Sequence, residues 1–561
     1  MSIRVAQLER TIGCILLTLT VLAITSFLSL LLLVHLWDRY EAETVALGFN
    51  GIYERFQAGF SDDPNASASA KAERARQDTV GPQRHAPAQV LREEPKLVGT
   101  VALGSTNQGI SVALSADSST AIVGGPGPNN ADRDRSPYVG PAGAAWVFTR
   151  SHGIWTQQGN KLIGTTSEYG GGLWSQGASV AMSADGNTAI VGGPSDNRTT
   201  GAAWVFTRSG GIWTQQGNKL VGAGTARAGE PPLPPGQGMA VALSGDGNTA
   251  MVGGWGAEAT WVFARNGNVW AQQGKKLVGT GAVGRARQGM SVALSLDGNT
   301  ALVGGWSDNG KTGAAWVFTR KGGVWTQEGN KVVGTGAVGR ANQGWSVALS
   351  ADGNTAIIGG PRDNPWDASV PFGLGAAGAA WVFTRSSGVW TQQGEKLVST
   401  GNARQGTSVA LSADGNIAVV GGIAENGRGV ASVFTRDGDH WTQDQNLVGT
   451  GAVGNSVPSV ALSADGSIVL MGAANDNGGV GAAWVFTHSG GHWTEVKKLV
   501  GGGGPGHSEP SVALPADGSI VVIGGSNDAR GFGAAPVFTP SGGGSDYQQS
   551  PAPSTLSNLA E

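Results

Sequence analysis

Cysteine is all but missing from this chain: of 561 residues only Cys14 carries a thiol. Everything beyond it therefore lacks disulfides and cysteine metal sites, and its stability has to come from packing. Tyrosine is scarce, at five residues, and charged residues make up only 14% of the chain. With a formal net charge of −3, no global basic field exists to attract phosphate backbones, so nucleic acid is excluded as an expected partner. Histidine, at seven residues, does not cluster: His488 and His492 flank a Ser-Gly-Gly turn and read as solvated turn residues. What is abundant is glycine, 94 residues without a collagen period, and tryptophan, 19 residues. That combination points to an all-β chain dense in tight turns.

Residues 1–11 read as a short cytoplasmic segment. Ile12 to Trp37 carries no Asp, Glu, Lys or Arg and exceeds the roughly 20 residues that cross a bilayer. It is too long for the apolar core of a cleaved signal peptide, so residues 12–37 are expected to be a transmembrane signal anchor. Arg4, Glu9 and Arg10 precede it, whereas Asp38, Arg39, Glu41 and Glu43 follow it, and this positive-inside bias places the N-terminus in the cytoplasm and the rest outside. Residues 38–88, rich in Ala, Ser, Arg, Glu, Gln and Pro, read as a flexible stalk, and 541–561 as a disordered tail.

Between them the chain repeats itself. The phrase S-V-A-L-S-A-D-G or a close variant of it occurs eight times, with its aspartate at Asp117, Asp185, Asp246, Asp297, Asp352, Asp414, Asp465 and Asp517, spaced 51 to 68 residues apart. Each unit holds four short apolar runs, in the fourth unit SVALS, TALVGG, GAAWVFTR and VWTQEGNKVVG, joined by hairpin signals. Four antiparallel strands repeated eight times predict an eight-bladed β-propeller over residues 89–540, with a seven-bladed ring and one spare unit as the alternative. In the second unit Trp204 and Phe206 alternate with Ala203 and Val205, so both faces of the blade are apolar, as sandwiching between two neighbours requires. The last unit ends after its third run, and Gln89 to Thr100, which carries the Lys-Leu-Val-Gly of a fourth strand, is expected to complete that blade and remove the exposed edges.

These units resemble the FG-GAP repeat of integrin-α-like propellers in its bacterial form. The resemblance rests on Gln-Gly before S-V-A-L, at Gln108-Gly109, Gln176-Gly177, Gln237-Gly238, Gln288-Gly289, Gln343-Gly344 and Gln405-Gly406. It rests also on Gly-Gly-Pro at Gly124 to Pro126, Gly192 to Pro194 and Gly359 to Pro361, followed by G-A-A-W-V-F. Units seven and eight depart from it with Val457-Pro458 and Glu509-Pro510. Some FG-GAP propellers bind calcium in acidic loops, but a calcium site needs six to eight oxygen ligands and each turn here offers one aspartate. The Asp is read as a hairpin-shaping turn residue. The Asp-Asn pairs at Asp196, Asp308, Asp363 and Asp476 are read likewise, and no cofactor is expected, with calcium as the weakly supported alternative. Sialidase-type hydrolysis also fits poorly. The turn lacks the S-x-D-x-G-x-T-W form, the repeated acids do not converge on one pocket, and the propeller has only Tyr138 and Tyr169 for a nucleophile.

Loops 1–2 and 3–4 hardly vary in length, whereas loops 2–3 and 4–1 do, so the ring should have one uniform and one variable face. Seven tryptophans occupy the Trp-Thr-Gln slot and six the Trp-Val-Phe slot, which reads as inter-blade packing. Apart from Trp37, those outside the repeat are Trp174, Trp255, Trp306, Trp345 and Trp366, all in or beside variable-face loops. Trp255, Trp306, Trp345 and Trp366, with Arg285, Arg287 and Arg340 between them, form the candidate ligand site, since Trp and Arg dominate binding hot spots. The alternative is that these tryptophans fill gaps between loops. The expected function is a membrane-anchored binding or scaffold module for a protein or cell-envelope glycan; a carbohydrate-active hydrolase and a purely structural surface protein are the alternatives.

Overall fold

The computed structural model describes residues 90–93, 96–100, 107–127, 143–165, 175–224, 234–365, 375–399, 403–424, 427–453, 458–473, 481–500, 511–525 and 535–541, with 401 and 476. The chain divides into Met1–Ala86 and Pro87–Glu561. The expected anchor and stalk lie outside the described residues, as do Trp174, Trp366, Val457 and Glu509-Pro510. Among the described residues no helix is long and apolar enough to cross a membrane.

The repeats form eight four-stranded antiparallel sheets. Blade 4 is typical, with strands Ser291–Leu294, Thr300–Gly305, Ala314–Lys321 and Val324–Gln327 in that order from the inside outward. The innermost strand of each blade lies against that of the next all the way round, including Ser111–Leu114 of blade 1 against Val512–Ala513 of blade 8. The seven-bladed alternative is thereby overturned, because no unit is left outside the ring. Val90–Glu93 pairs antiparallel with Val537–Ser541 as the outer strand of blade 8.

Packing follows the alternation. Trp204 and Phe206 bury against Ile122, Ala145 and Val147 of blade 1, while Ala203 and Val205 bury against Ala250, Val252 and Trp261 of blade 3. The six Trp-Val-Phe tryptophans are fully buried. Each indole lies flat on the glycine that ends the preceding blade, so a Cβ on Gly164 would sit 2.0 Å from Trp204 Cδ1 and one on Gly279 2.0 Å from Trp316 Cδ1. The indole Nε1 then donates to the next carbonyl, Trp204 to Thr165 O at 3.1 Å and Trp316 to Thr280 O at 2.8 Å. The Gln of Gln-Gly is what holds that glycine. Gln288 Oε1 accepts from Gly279 N at 2.6 Å and its Nε2 donates to Gly279 O at 3.2 Å, a pairing repeated by Gln108, Gln176, Gln237, Gln343 and Gln405. A buried amide with both ends paired is a structural clasp. Blade 6 keeps the glutamine, as Gln405 on Ser399, and exchanges the other two parts together: Ser399 replaces the glycine, Ser432 the tryptophan, and both hydroxyls donate to Asn446 Oδ1, at 2.9 and 2.7 Å.

The uniform length of the 1–2 turns has a direct cause. Within each turn the Asp is consumed locally: Asp185 Oδ1 accepts from Ser183 Oγ (2.5 Å) and Asn187 N (3.0 Å), and Oδ2 from Asn187 Nδ2 (3.0 Å). Between turns a backbone belt runs round the ring, from Ala116 N to Ala184 O (2.9 Å), then through Gly245, Leu296, Ala351, Ala413 and Ala464 to Ala516 O, every link between 2.8 and 3.0 Å. Ser118 bonded to Asp517 and Ser519 joins the ends. An insertion in any turn would break two links. On the same face the Trp-Thr-Gln indoles stack under arginines, Arg208 on Trp213 at 5.5 Å for example, and Trp213 Nε1 reaches back to Gln158 of the previous blade at 2.8 Å.

The Asp-Asn pairs do more than turn the chain. Asp196, Asp308, Asp363 and Asp476 are buried and paired with Lys219, Lys331, Lys396 and Lys498 on the fourth strands, at 2.5, 2.5, 2.6 and 2.7 Å. Three of them also accept a linker amide: Asp308 from Val283 N, Asp363 from Val338 N and Asp476 from Val453 N. These three pin the linker that enters their own blade, a role invisible in a turn motif.

Candidate functional site

The variable face takes its geometry from two slots in each repeat: the residue after Gly-Gly, at the end of strand 2, and the residue before Gln-Gly, at the entry to strand 1. The second slot adopts a left-handed backbone in six blades, with φ of 51° at Asn107, 69° at Ser175, 61° at Gly236, 58° at Arg287, 58° at Asn342 and 52° at Arg404. Gly and Asn accept that conformation readily; Arg does so at a cost of roughly 1–2 kcal/mol. Two arginines held there are the kind of local strain that tends to mark a site.

Arg287 lies between two tryptophans from the first slot. Its guanidinium carbon is 5.0 Å from the centre of the Trp255 ring and 5.1 Å from that of Trp306. Both distances are within cation–π range. The buried Glu258, also left-handed at φ 53°, accepts the Arg287 amide at 2.6 Å and helps to fix its backbone. Trp306 continues the row to Trp345, with ring centres 5.6 Å apart and planes at 58°. Asn342 Nδ2 ties the two blades together by donating to Trp306 O at 3.3 Å. Trp255, Arg287, Trp306 and Trp345 thus form one strip across blades 3, 4 and 5. Exposure rises along it: the first three are half-buried, and Trp345 is 38% exposed.

Beyond Trp345 the strip opens into a pocket of about 760 Å³ between blades 5 and 6, lined by Arg340, Arg362, Arg404, Trp345, Pro361 and Thr407 among others. Among the described residues no carboxylate lines it. Of the expected site residues, five are therefore brought together: Trp255, Arg287, Trp306 and Trp345 in the row and Arg340 in the pocket. Arg285 is half-buried and does not line the pocket. Trp366 lies outside the described residues.

Three contributors escaped the sequence reading: Glu258, Arg362 and Arg404. Arg404 was within reach, because Ala403-Arg404-Gln405-Gly406 copies Ala286-Arg287-Gln288-Gly289 from two blades earlier. Arg362 follows Gly-Gly-Pro and had no signal of its own.

No protein-family model matches the chain, and no curated protein matches it. Among solved structures, the chain is similar to a candidate 6-phosphogluconolactonase from Bacteroides uniformis, at 13% identity over 68% of this chain and 97% of that one, with a TM-score of 0.43. It is similar to Sqt1 of Saccharomyces cerevisiae, at 12% identity over 80% of this chain and 100% of that one, TM-score 0.49. A third is the periplasmic gluconolactonase PpgL of Pseudomonas aeruginosa, at 15% identity over 70% and 85%, TM-score 0.37. With TM-scores below 0.5 these likenesses carry no argument here, and the ring is read from this chain's own strand pairing.

The strip and pocket offer an aromatic plane and fixed positive charge, which suits recognition. Among the described residues, no group of three or more His, Cys, Asp or Glu side chains lies together. The turn aspartates of the opposite face have lowered pKa values: burial raises them, but hydrogen bonds from the turn's own Ser hydroxyl, backbone amide and Asn or Ser side chain outweigh it. Carboxylates so held stay ionised and occupied, a poor state for proton transfer.

Proposed function

We propose that the chain is a single-pass, membrane-anchored binding module whose propeller lies outside the cytoplasm and recognises an envelope partner through its variable face. The observation that carries this reading is the continuous row from Trp255 through Arg287 and Trp306 to Trp345, opening onto a pocket lined by arginines. Loop filling would account for half-buried rings, but not for a row that ends in a large exposed indole beside three arginines. The anchor rests on the uncharged residues 12–37 and the charge asymmetry around them. The FG-GAP kinship rests on the Gln-Gly and Gly-Gly-Pro elements, whose glutamines now have a physical role.

The test is retention of envelope glycans and proteins by the full-length chain, its Trp345→Ala variant and its Trp306→Ala variant. The parent should retain a component that both variants release, and that component should be recovered intact. Equal retention by all three would refute the variable-face reading, and recovery of a shortened glycan would make the protein a hydrolase instead.

A further inference from the structure

We infer that the uniform face carries a small-ligand site at the junction of blades 4 and 5, built for a dipolar ion of the amino acid and short-peptide class, with its ammonium on Glu328 and its carboxylate on Lys321. This goes beyond the variable-face reading and does not rest on it. A pocket of about 450 Å³ opens there, lined by Lys321, Glu328, Arg320, Arg385, Asp297 and Ser387 among others, and its volume is within the roughly 300–1,000 Å³ usual for small-ligand sites. Every segment that lines it lies within the described residues. Lys321 and Glu328 both break the repeat. Where blade 4 has Lys321 the others of the first seven blades have Ser, Asn or Asp, and where it has Glu328 four of them have Gln158, Gln216, Gln273 and Gln393. Two departures of opposite charge therefore meet in one pocket.

Packing between the blades requires neither. Gln273 shows what the repeat residue does: its Oε1 accepts from Arg320 Nη1 at 3.2 Å and from Trp325 Nε1 at 2.8 Å. Glu328 does the same with Oε2 alone, which accepts from Arg385 Nη1 at 3.1 Å and Trp390 Nε1 at 2.9 Å. The other atom is what differs. Gln216 and Gln393 use Nε2 to donate to the 3–4 turn of the next blade, to Asn268 Oδ1 at 3.2 Å and Gly438 O at 3.1 Å. Glu328 has no donor for that bond and holds Oε1 there instead, 3.5 Å from where a Cβ on Gly388 would lie. A carboxylate has lone pairs enough to take a second cation on Oε1 while keeping Arg385 on Oε2. The pocket's remaining charges are engaged: Asp297 accepts from Ser295 and Asn299 within its own turn, Arg320 is held by Asn299, Thr249 and Gln273, and Arg385 by Asn354 as well as Glu328. Lys321, at the tip of its hairpin opposite Val324, pairs with no carboxylate among the described residues. A simple anion would match only Lys321 and a simple cation only Glu328, whereas a dipolar ion matches both with charge-assisted bonds.

The experiment measures binding of alanine, dialanine and trialanine to the full-length chain by ligand-observed NMR, each beside its N-acetyl form, which lacks the ammonium, and its C-terminal amide, which lacks the carboxylate. At least one free form should bind, and each cap should weaken it about 10- to 100-fold, as loss of a charge-assisted bond implies. Two variants restore residues of the repeat, so the blade need not adjust: Glu328→Gln, as at Gln273, and Lys321→Ser, as at Ser209. Glu328→Gln should make the free and N-acetyl forms bind alike, Lys321→Ser should do so for the free and amide forms, and melting temperature checks that both variants are folded. Trp345→Ala should bind the free forms as the parent does, which separates this site from the variable-face strip. No binding of any free form, caps that change nothing, or variants that bind like the parent would each overturn the proposal. Weakening by the amide cap alone would make the pocket an anion site, and weakening by acetylation alone a cation site; either result overturns the dipolar ligand.

Discussion

Replacing Gly279 by alanine tests the contact that holds neighbouring blades together. Gly279 has ordinary, not left-handed, backbone angles, so nothing local forbids a side chain there. In open surroundings the change would stabilise by about 0.4–1 kcal/mol through the unfolded chain. Here the new Cβ would lie 2.0 Å from Cδ1, 2.1 Å from Cγ and 2.3 Å from Nε1 of Trp316, where carbon atoms pack best at roughly 3.5–4.0 Å. The fully buried ring must move, at about 1–3 kcal/mol for overpacking. Its Nε1 bond to Thr280 O is then lost, which adds about 1–3 kcal/mol for an unpaired buried donor. The expected cost is about 2–6 kcal/mol, opposite in sign to the open-surroundings value. Hydrogen exchange read by mass spectrometry on the full-length chain should show faster opening at both sides of the blade 3 to blade 4 junction. The decisive arm is the same substitution in a Trp316→Ser background, the exchange blade 6 already carries at Ser432. There Gly279→Ala should cost nothing or stabilise. An unchanged cost without the indole, or no cost with it, would refute the account of the glycine.

Two further outcomes follow from the polar parts of the ring. Lys331→Met leaves the buried Asp308 carboxylate without its cation and should cost about 3–5 kcal/mol, whereas Asp308→Asn combined with Lys331→Met, which keeps an acceptor for Val283 N, should cost less; thermal melts of both variants in which the single loses no more than the double would contradict this. The turn aspartates have folded-state pKa values below the ordinary aspartate value, so their contribution is fully present above that ordinary value and is lost as pH falls through the lower folded values. The melting temperature should therefore hold from neutral pH to about pH 4 and then drop, and a flat profile down to pH 2.5 would remove the turns from the stability of the ring.

How much of this was legible depended on whether a residue acts through its repeat or against it. Period, strand count and the burial of Trp204 followed from alternation alone, because a strand with two apolar faces has only one kind of neighbour to bury them. Gln288 and Asp308 were legible as positions but not as roles, since Gln288 acts on Gly279 and Asp308 on Lys331, residues outside their own turns. For the site, the departures from the repeat found Trp255, Arg287, Trp306, Trp345 and Arg340. Glu258 and Arg362 were missed because loop residues matter there through where the backbone aims them, which no period encodes.

The two faces also explain why recognition of a large partner belongs on one of them. On the uniform face the backbone groups of the 1–2 turns are spent on the belt, the aspartates on their own turns, and the arginines on the indoles beneath them. A residue changed there to meet a ligand would forfeit an existing bond to a neighbouring blade. On the variable face the blades need only the Gln-to-glycine clasp and the Asp–Lys pair, both buried beneath the loops, so the residues before Gln-Gly and after Gly-Gly can differ from blade to blade without loosening the ring. Arg287 and Arg404 occupy the same backbone conformation, yet one is stacked between tryptophans and the other borders a pocket, and the slots that hold Trp255 and Trp306 on either side of Arg287 are held by Pro361 and Ile423 in the blades that flank Arg404. Pro361→Trp should accordingly restore the ring that Trp255 supplies beside Arg287 and narrow the pocket while leaving the blade intact, which the melting temperature checks.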